Sequence, residues 1–341
     1  MFKPDFENLL KVLARKKPSR PTLFEFIIGH RIFEHILGRP IPAKKGLDRQ
    51  RFVVDGFAAA GYDYAVLMSW ELENALAFPK NEVHRKSSIS LNEGSVITDR
   101  KSFEAYKWID PDKCDYSIYE DLAPSLPDGL KLIACGPGGI LENVIALCGY
   151  DNLCIMIYEE HDLAKAVFDE VGSRLLRHYE IVSAFPSVGA GIVNDDWGFK
   201  TQTMFSTDQM REFAVPWHRK MVAAIHATGK PAIMHSCGNL EKVMDDVIDD
   251  IKFDGKHSYE DTIIPVEQAW EKWGNRIAIL GGIDVDFLCR STPQAIAERS
   301  RKILEKTDWR SYGLGSGNSI PDYIPVENYM AMIVEATKDR K

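Results

Sequence analysis

Short apolar runs alternate with longer amphipathic stretches along most of the chain. The runs are four to eight residues long and most end in polar residues or glycine, a pattern typical of strands buried in a parallel sheet. Eight such runs lie at 21–28, 64–69, 130–135, 191–194, 231–235, 253–257, 277–280 and 311–315. Because most of the runs are followed by a segment with helical periodicity, the sequence predicts repeated parallel βαβ units.

The segments between the runs predict the helical part of the fold. Helical stretches lie at 30–37, 47–60, 140–184, 206–226, 240–250, 265–273, 293–306 and 325–337. Ser206 and Thr292 stand where two of these stretches need an N-cap. Eight strands alternating with helices predict an α/β fold, the (β/α)8 TIM barrel. In that fold the chemistry is carried by residues at the C-terminal ends of the strands.

Two additions to the barrel are predicted. The stretch from Leu10 to Lys17 indicates a short basic amphipathic helix, which we expect to be a solvated cover. Residues 83–110 contain Asn92-Glu93-Gly94 between alternating segments, which indicates a β-hairpin inserted after the second strand. No linker, repeat or low-complexity segment divides the sequence, so we expect a single domain over residues 1–341.

Composition excludes several functional classes. Of the 341 residues 45% are hydrophobic, the net charge is −8 and no basic patch stands out, which argues against a nucleic-acid partner. No apolar run approaches the ~20 residues of a membrane span, and the N-terminal segment lacks the apolar core of a signal peptide. Six cysteines without a CxxC pair fit reduced thiols. We therefore expect a cytoplasmic protein with a small-molecule substrate.

Polar side chains follow most of the predicted strands, where a barrel has its mouth. They are His30, Trp70, Glu71, Asp195, Asp196, His235, Cys237, His257, Asp284, Ser316 and Asn318. Together they predict a polar pocket with carboxylates, imidazoles and a thiol. For Asp284 and Asn318, a helix cap or a loop contact is the alternative. Asp195 and Asp196 fit a cap of the following turn equally well.

His235 and Cys237 carry the most specific chemistry. They are two residues apart at the end of the fifth strand, so their side chains point to the same face. An imidazole beside a thiol suits a divalent metal, zinc first. The same pair also fits a Cys–His nucleophile, or a buried thiol beside a hydrogen-bonded histidine.

Four stretches resemble a known family. They are NDDWGFKTQTMFSTDQMREFAVPW (194–217), MHSCGNLEKVMDDVID (234–249), AILGGIDVDFLCRSTPQAI (278–296) and GLGSGNSIPDYIPVENYMAMI (313–333). The chain is similar, over about 21 to 337, to the uroporphyrinogen decarboxylase superfamily, which also contains cobalamin-dependent methyltransferases. The resemblance implies a TIM barrel and is closer to the methyltransferase branch.

The decarboxylase branch differs from this sequence at its site residues. Its members carry Arg-Gln-Ala-Gly-Arg after the first strand, and the matching positions here run from Phe26 to His30. An Asp follows their second strand, where this chain has Trp70 and Glu71. Gly-His-Gly in the last strand corresponds to a stretch centred on Ser316. The resemblance therefore implies loss of the charges that bind a poly-anionic tetrapyrrole.

The methyltransferase branch keeps one motif in common with this chain. Its members bind zinc with His-x-Cys on the fifth strand and a Cys near the last, and His235 and Cys237 match the first two ligands. Ser316 stands at or near the third, which leaves Asp195, Asp196, Glu71 or His257 as substitutes. In the family, zinc lowers the pKa of a thiol substrate whose thiolate attacks a methyl group on cobalt.

The sequence thus predicts a methyltransferase that moves a methyl group between a corrinoid, carried by a partner protein, and a small acceptor. His235, Cys237, Asp195 and Asp196 are the predicted catalytic residues, and His235 and Cys237 the predicted zinc ligands. The predicted substrate-binding residues are His30, Trp70, Glu71, His257, Asp284, Ser316 and Asn318. Two alternatives stay open: a decarboxylase acting on a tetrapyrrole or a smaller acid, and a non-catalytic barrel that binds a corrinoid or its carrier.

Overall fold

Eight parallel strands form one curled sheet in the computed structural model, which describes residues 3–80 and 90–338. The strands are β1 (Thr22–Leu23), β2 (Tyr64–Met68), β3 (Lys131–Cys135), β4 (Val188–Asn194), β5 (Ala232–His235), β6 (Gly255–His257), β7 (Ala278–Leu280) and β8 (Tyr312–Leu314). Their order is β1-β8-β7-β6-β5-β4-β3-β2. The predicted TIM-barrel fold is confirmed, and each strand overlaps its predicted run, although only Thr22–Leu23 of the run 21–28 is a strand.

Helices surround the sheet and connect its strands. They are α1 (Glu7–Leu13), α2 (His30–Leu37), α3 (Leu47–Ala60), α4 (Arg100–Ala105), α5 (Ile118–Asp121), α6 (Ile140–Cys148), α7 (Tyr150–Glu159), α8 (His161–Val182), α9 (Thr207–Gln209), α10 (Val215–Ala227), α11 (Val266–Trp273), α12 (Val285–Arg290), α13 (Pro293–Thr307) and α14 (Val326–Thr337). Within the described part of the chain, no single helix has the length and apolarity to cross a membrane. Only α6 and α7 taken together reach those values, and they meet at 95°.

The predicted helix caps are confirmed, and most of the predicted helical stretches are helical. The Ser206 side chain accepts from the backbone N–H of Gln209, and that of Thr292 accepts from Ala295. Between α9 and α10 the helix continues through a π-helical turn, Met210–Ala214. The stretch predicted at 240–250 is less regular. It consists of a 3-10 turn and a π-helical turn, which ends at Lys252 in the left-handed conformation.

Strand register brings three side chains to one level at the mouth of the barrel. Asn194 of β4 pairs with His235 of β5, and His235 pairs with His257 of β6. Since neighbouring strands are about 4.7–4.9 Å apart, residues in register can touch across the mouth. The last residues of three consecutive strands therefore form one side of the candidate site.

The edges of the sheet, β1 and β2, meet through a side chain. The Tyr64 hydroxyl accepts from the backbone N–H of Glu25 at 2.7 Å and donates to its carbonyl at 2.8 Å. Tyr64 is fully buried, so this bridge is shielded from water. It ties the two edge strands together below the mouth.

Helix α1 corrects the predicted N-terminal cover. It spans Glu7–Leu13 and ends before the basic run, since Arg15 takes a positive φ of 59°. Leu9, Val12 and Leu13 are buried rather than solvated. A Cβ on Gly255, at the start of β6, would lie 2.7 Å from Leu13. The helix therefore packs its apolar face onto the closed end of the barrel.

The predicted hairpin falls partly on residues 81–89, which lie outside the described residues. Residues 90–110 contain a turn and α4 instead of strands. The reason is local. The Asp99 side chain accepts from the Ser102 N–H and the Ser102 hydroxyl accepts from the Asp99 N–H, a reciprocal cap that begins a helix.

Candidate functional site

Three side chains of different chemistry meet where β4 and β5 end. One ligand atom each of Asp196, His235 and Cys237 lies within 4.8 Å of the other two. His235 Nε2 is 3.9 Å from Asp196 Oδ1 and 3.9 Å from Cys237 Sγ. The Cys237 N–H donates to Asp196 Oδ1 at 2.8 Å and so orients that carboxylate. We call these three residues the mouth cluster.

A chain of two histidines sets the protonation of His235. His257 Nε2 lies 3.3 Å from the Ser316 carbonyl oxygen, which can only accept, so the proton of His257 is on Nε2. Its bare Nδ1 then accepts from His235 Nδ1, 2.8 Å away. The Nε2 of His235 is left with a free lone pair that faces Asp196 and Cys237, as a metal ligand requires.

Asn318 lies against the thiol from the other side of the mouth. Its Nδ2 is 3.2 Å from Cys237 Sγ, and Ser258 Oγ is 4.0 Å from the same sulfur. Ser316, which the sequence placed near a third ligand, is fully buried beside Glu25 instead. Glu25 accepts from the Ser316 N–H at 2.6 Å and from its hydroxyl at 2.7 Å. The residue of the β8 loop that touches the thiol is therefore Asn318.

Burial keeps the thiol and both imidazoles of the site neutral. It raises the pKa of the Cys237 thiol, and the charge of Asp196 raises that pKa further. Burial also lowers the pKa of His235 far below its usual range, and that of His257 to about 3. A thiolate–imidazolium nucleophile needs the opposite shifts and a direct contact, whereas Sγ and Nε2 are 3.9 Å apart. The arrangement thus disfavours the nucleophile interpretation.

The donor set of the mouth cluster fits a divalent metal. A thiol sulfur, an imidazole nitrogen with a free lone pair and a carboxylate oxygen are the ligands zinc takes, and catalytic zinc has three protein ligands with a fourth position open. The Asp196 side chain is 34% exposed and the His235 side chain 9% exposed, so solvent reaches the cluster from the mouth. These residues could hold zinc with its open position towards a substrate.

Asp195 points away from its neighbour Asp196 and is fully buried. Its carboxylate accepts from the N–H groups of Leu141 and Glu142, each at 3.0 Å, and from the Trp197 indole at 3.0 Å. These contacts place Asp195 at the N-terminus of α6, behind the mouth. Of the two adjacent acids, only Asp196 belongs to the mouth cluster.

The predicted residues on the β1–β2 side form a separate polar group. Glu71 accepts from Arg49 Nε at 3.0 Å, and Arg49 Nη2 lies 3.4 Å from His30 Nδ1. Burial, and then the charge of Arg49, hold the pKa of His30 below its usual value. Trp70 is 42% exposed at the rim. The sequence predicts three of these residues but not Arg49, which comes from α3.

Asp284 is a helix cap, one of the two interpretations left open. Its Oδ1 accepts from the N–H groups of Asp286 and Phe287 at the start of α12. Its Oδ2 accepts from Asp261 N–H at 3.0 Å. The residue lines a wide outer cleft near Asn318 rather than the mouth cluster.

Several site residues were missed by sequence analysis. A cleft of about 490 Å³ at the mouth cluster is also lined by Phe26 and Glu142. Burial, and then the charge of Asp196, raise the pKa of Glu142 to about 7. Burial raises the pKa of Glu25 to about 8 and lowers that of Lys256 to about 8. Glu25 was detectable, because it is a lone charge inside an apolar strand run, whereas Lys256 shares its run with Asp254 and does not stand out.

Sequence comparisons point to one family. The profile of the family described as Uroporphyrinogen decarboxylase (URO-D) matches residues 97–339. A curated protein of Sorangium cellulosum (strain So ce56), named uroporphyrinogen decarboxylase, is 32% identical over 170 residues, or 48% of this chain and 44% of that protein. The chain thus matches less than half the length of this relative.

Solved structures agree on the fold. A methyltransferase from Methanosarcina mazei superimposes with a TM-score of 0.73 at 15% identity, covering 99% of both chains. A B12-independent methionine synthase from Shewanella sp. W3-18-1, in complex with selenomethionine, gives a TM-score of 0.55 at 13% identity over 93% of this chain and 96% of that one. At these identities the likeness concerns the barrel itself.

Proposed function

The chain belongs to the uroporphyrinogen decarboxylase family, and from this membership and its mouth cluster we propose that it is a metal-dependent methyltransferase. The observation that carries the proposal is the approach of Asp196, His235 and Cys237 to within 4.8 Å of one another at the open end of the barrel. In the proposed reaction a methyl group passes between a corrinoid, carried by a partner protein, and a small thiol acceptor.

Each residue of the mouth cluster has a distinct role in this proposal. Asp196, His235 and Cys237 hold a divalent ion, zinc first, and leave one position open. A bound zinc ion supplies the positive charge that lowers the pKa of a substrate thiol. His257 holds the free lone pair of His235 towards the cluster, and Asn318 donates to the sulfur of Cys237.

The charge of the mouth also supports methyl transfer over decarboxylation of a tetrapyrrole. Four carboxyl groups line the cleft and the pocket that adjoins it towards β2: Glu71, Glu142, Asp196 and Asp322. Among the lining residues that the structure describes, Lys80 is the one lysine or arginine. Arg49 neutralises Glu71, but the other three acids outnumber Lys80. A poly-anionic substrate would therefore meet net repulsion, whereas a thiol and a methyl group carry no charge that needs a cation.

The proposal is tested with free methylcobalamin as the methyl donor. The zinc-loaded protein should demethylate it in the presence of small thiols, with the change in corrinoid absorbance matched by thioether formation. Metal-free protein and Cys237→Ala should show the background rate, because the open metal position is lost. If zinc-loaded wild type and Cys237→Ala demethylate the donor equally across a panel of thiols, the proposed function is wrong.

A further inference from the structure

A second pocket opens through the wall of the barrel, between the edge strands β1 and β2. Below it, the Tyr64 hydroxyl joins the two edges through the backbone of Glu25. Above that bridge the chain leaves β1 and pairs again only at Ile28, which bridges to Ile320. The gap has a volume of about 360 Å³. We call it the seam pocket; its walls include Phe26, Phe33, Phe57, Val66, Met68 and Trp70.

The walls of the seam pocket favour an uncharged ring. Phe26, Phe33, Phe57 and Trp70 present aromatic surfaces, which bind another ring by offset or edge-to-face contact. The acids at its rim, Glu71 and Asp322, disfavour an anion. Arg49 pairs with Glu71 at 3.0 Å and neutralises it, so the negative charge at the rim is that of Asp322.

The seam pocket adjoins the cleft at the mouth cluster. Phe26, Ile27, Trp70 and Ser319 line both the seam pocket and the cleft at the cluster. The ring centroid of Phe26 lies 4.4 Å from that of His235, so Phe26 separates the pocket from the cluster by a single side chain. A molecule held in the pocket can therefore place its other end at the cluster.

We propose that the seam pocket binds an uncharged aromatic ring of the substrate, whose reactive group then lies at the mouth cluster. Only the identity of that reactive group rests on the proposed function. Binding of the ring needs neither metal nor turnover. The two proposals can therefore fail separately, provided that the test measures binding.

The test compares benzyl alcohol with benzoate by calorimetric titration of the metal-free protein. The two probes share the ring and differ in charge. Benzyl alcohol should bind at least about tenfold more tightly than benzoate, a difference of about 1.4 kcal/mol. Val53→Phe, which fills the pocket from α3, should weaken benzyl alcohol binding at least about tenfold. Val285→Phe is the matched control, at a half-buried valine of the outer cleft, and should bind as wild type does.

Two results would overturn the proposal: equal or tighter binding of benzoate, and unchanged binding of benzyl alcohol by a folded Val53→Phe variant. If Val53→Phe does not fold, Trp70→Ala replaces it, since Trp70 is a partly exposed wall of the pocket. Loss of affinity in Trp70→Ala supports the proposal, and unchanged affinity overturns it.

Discussion

Nδ1 of His235 lies 2.8 Å from Nδ1 of His257, so one of the two nitrogens must donate to the other. The Ser316 carbonyl decides which, because it accepts from His257 Nε2 and leaves His257 Nδ1 bare. Both rings are neutral, since burial lowers both pKa values. A backbone carbonyl of the β8 loop thereby directs the lone pair of His235 Nε2 towards Asp196 and Cys237.

Replacing His257 should weaken metal binding without removing a ligand. In His257→Leu the Nδ1–H of His235 has no acceptor, so the other tautomer and other ring orientations become accessible. Loss of such a contact to a metal-binding histidine typically costs about 10–100-fold in affinity. Zinc competition against a chromophoric chelator measures the change.

His178→Leu is the control for this prediction. His178 is equally buried and contacts Tyr116, remote from the mouth cluster. It should leave zinc affinity unchanged while lowering stability. Equal zinc affinity in wild type and a folded His257→Leu variant would contradict the tautomer argument.

Asn318 is the position at which a second thiolate should strengthen the site. Its Nδ2 already lies 3.2 Å from Cys237 Sγ, so Asn318→Cys brings a second sulfur towards the mouth cluster. The anionic ligand should tighten zinc binding by at least about tenfold. Ser316→Cys is the matched control, and should not tighten binding because Glu25 holds that side chain away from the cluster. If Ser316→Cys tightens zinc binding and Asn318→Cys does not, residue 316 is the position of the third ligand, as the sequence predicts.

The barrel could be predicted because its signal is local. Strands β2 and β7 are continuous apolar runs, and Ser206 and Thr292 mark helix starts by their own side chains. Strand alternation also placed His235 and Cys237 on one face, which the structure confirms. These predictions needed only spacing along one element.

Patterns within a single strand or helix could not predict the contacts between different elements. Two adjacent acids, Asp195 and Asp196, look alike in sequence, yet the N–H groups of α6 bind one and the Cys237 N–H binds the other. Likewise Ser316 and Asn318 differ by two residues, and only the packing of Glu25 decides which reaches the thiol. The hairpin was predicted from alternating polar and apolar residues, but the Asp99 side chain caps a helix in that segment instead.

Asn substitutions at the two adjacent acids should separate folding from metal binding. The Asp195 carboxylate accepts from three N–H groups. In Asp195→Asn the side-chain NH2 group faces at least one of these donors, which should lower the free energy of unfolding by about 1–3 kcal/mol. Asp196→Asn should leave stability nearly unchanged and weaken zinc binding, because a charged ligand is lost. Denaturant unfolding and zinc titration of both variants measure the two effects. The opposite pattern would show that Asp195 is the ligand.

Glu25 should make the protein less stable as pH rises. Its carboxyl is fully buried, and burial raises its pKa from 4.5 to about 8. Because the folded state binds the proton more tightly, this stabilisation is full below about pH 4.5 and is lost progressively up to about pH 8. The contribution to the slope is at most about 1.4 kcal/mol per pH unit.

Glu25→Gln should flatten that slope, since the amide keeps both contacts with Ser316 and cannot ionise. Denaturant unfolding at about pH 5.5 and about pH 7.5 compares the variant with wild type. Glu241→Gln, at an exposed acid, is the control and should retain the wild-type pH dependence. An unchanged slope in Glu25→Gln would show that Glu25 keeps an ordinary pKa.

Uroporphyrinogen III should not be decarboxylated at a useful rate. By the resemblance of the sequence, Phe26 and His30 stand where the decarboxylases carry arginines, and both lie in the wall of the seam pocket. Burial and Arg49 keep the pKa of His30 low, so it offers no positive charge at neutral pH. A poly-anionic tetrapyrrole would lose about 1.5–3 kcal/mol of binding free energy for each missing charged hydrogen bond, and the lining carboxylates would repel it as well.

Chromatography of the oxidised porphyrins, with a family decarboxylase as the positive control, measures the product. Formation of coproporphyrinogen at a rate near that of the control would refute the electrostatic argument, and with it the preference for methyl transfer over decarboxylation.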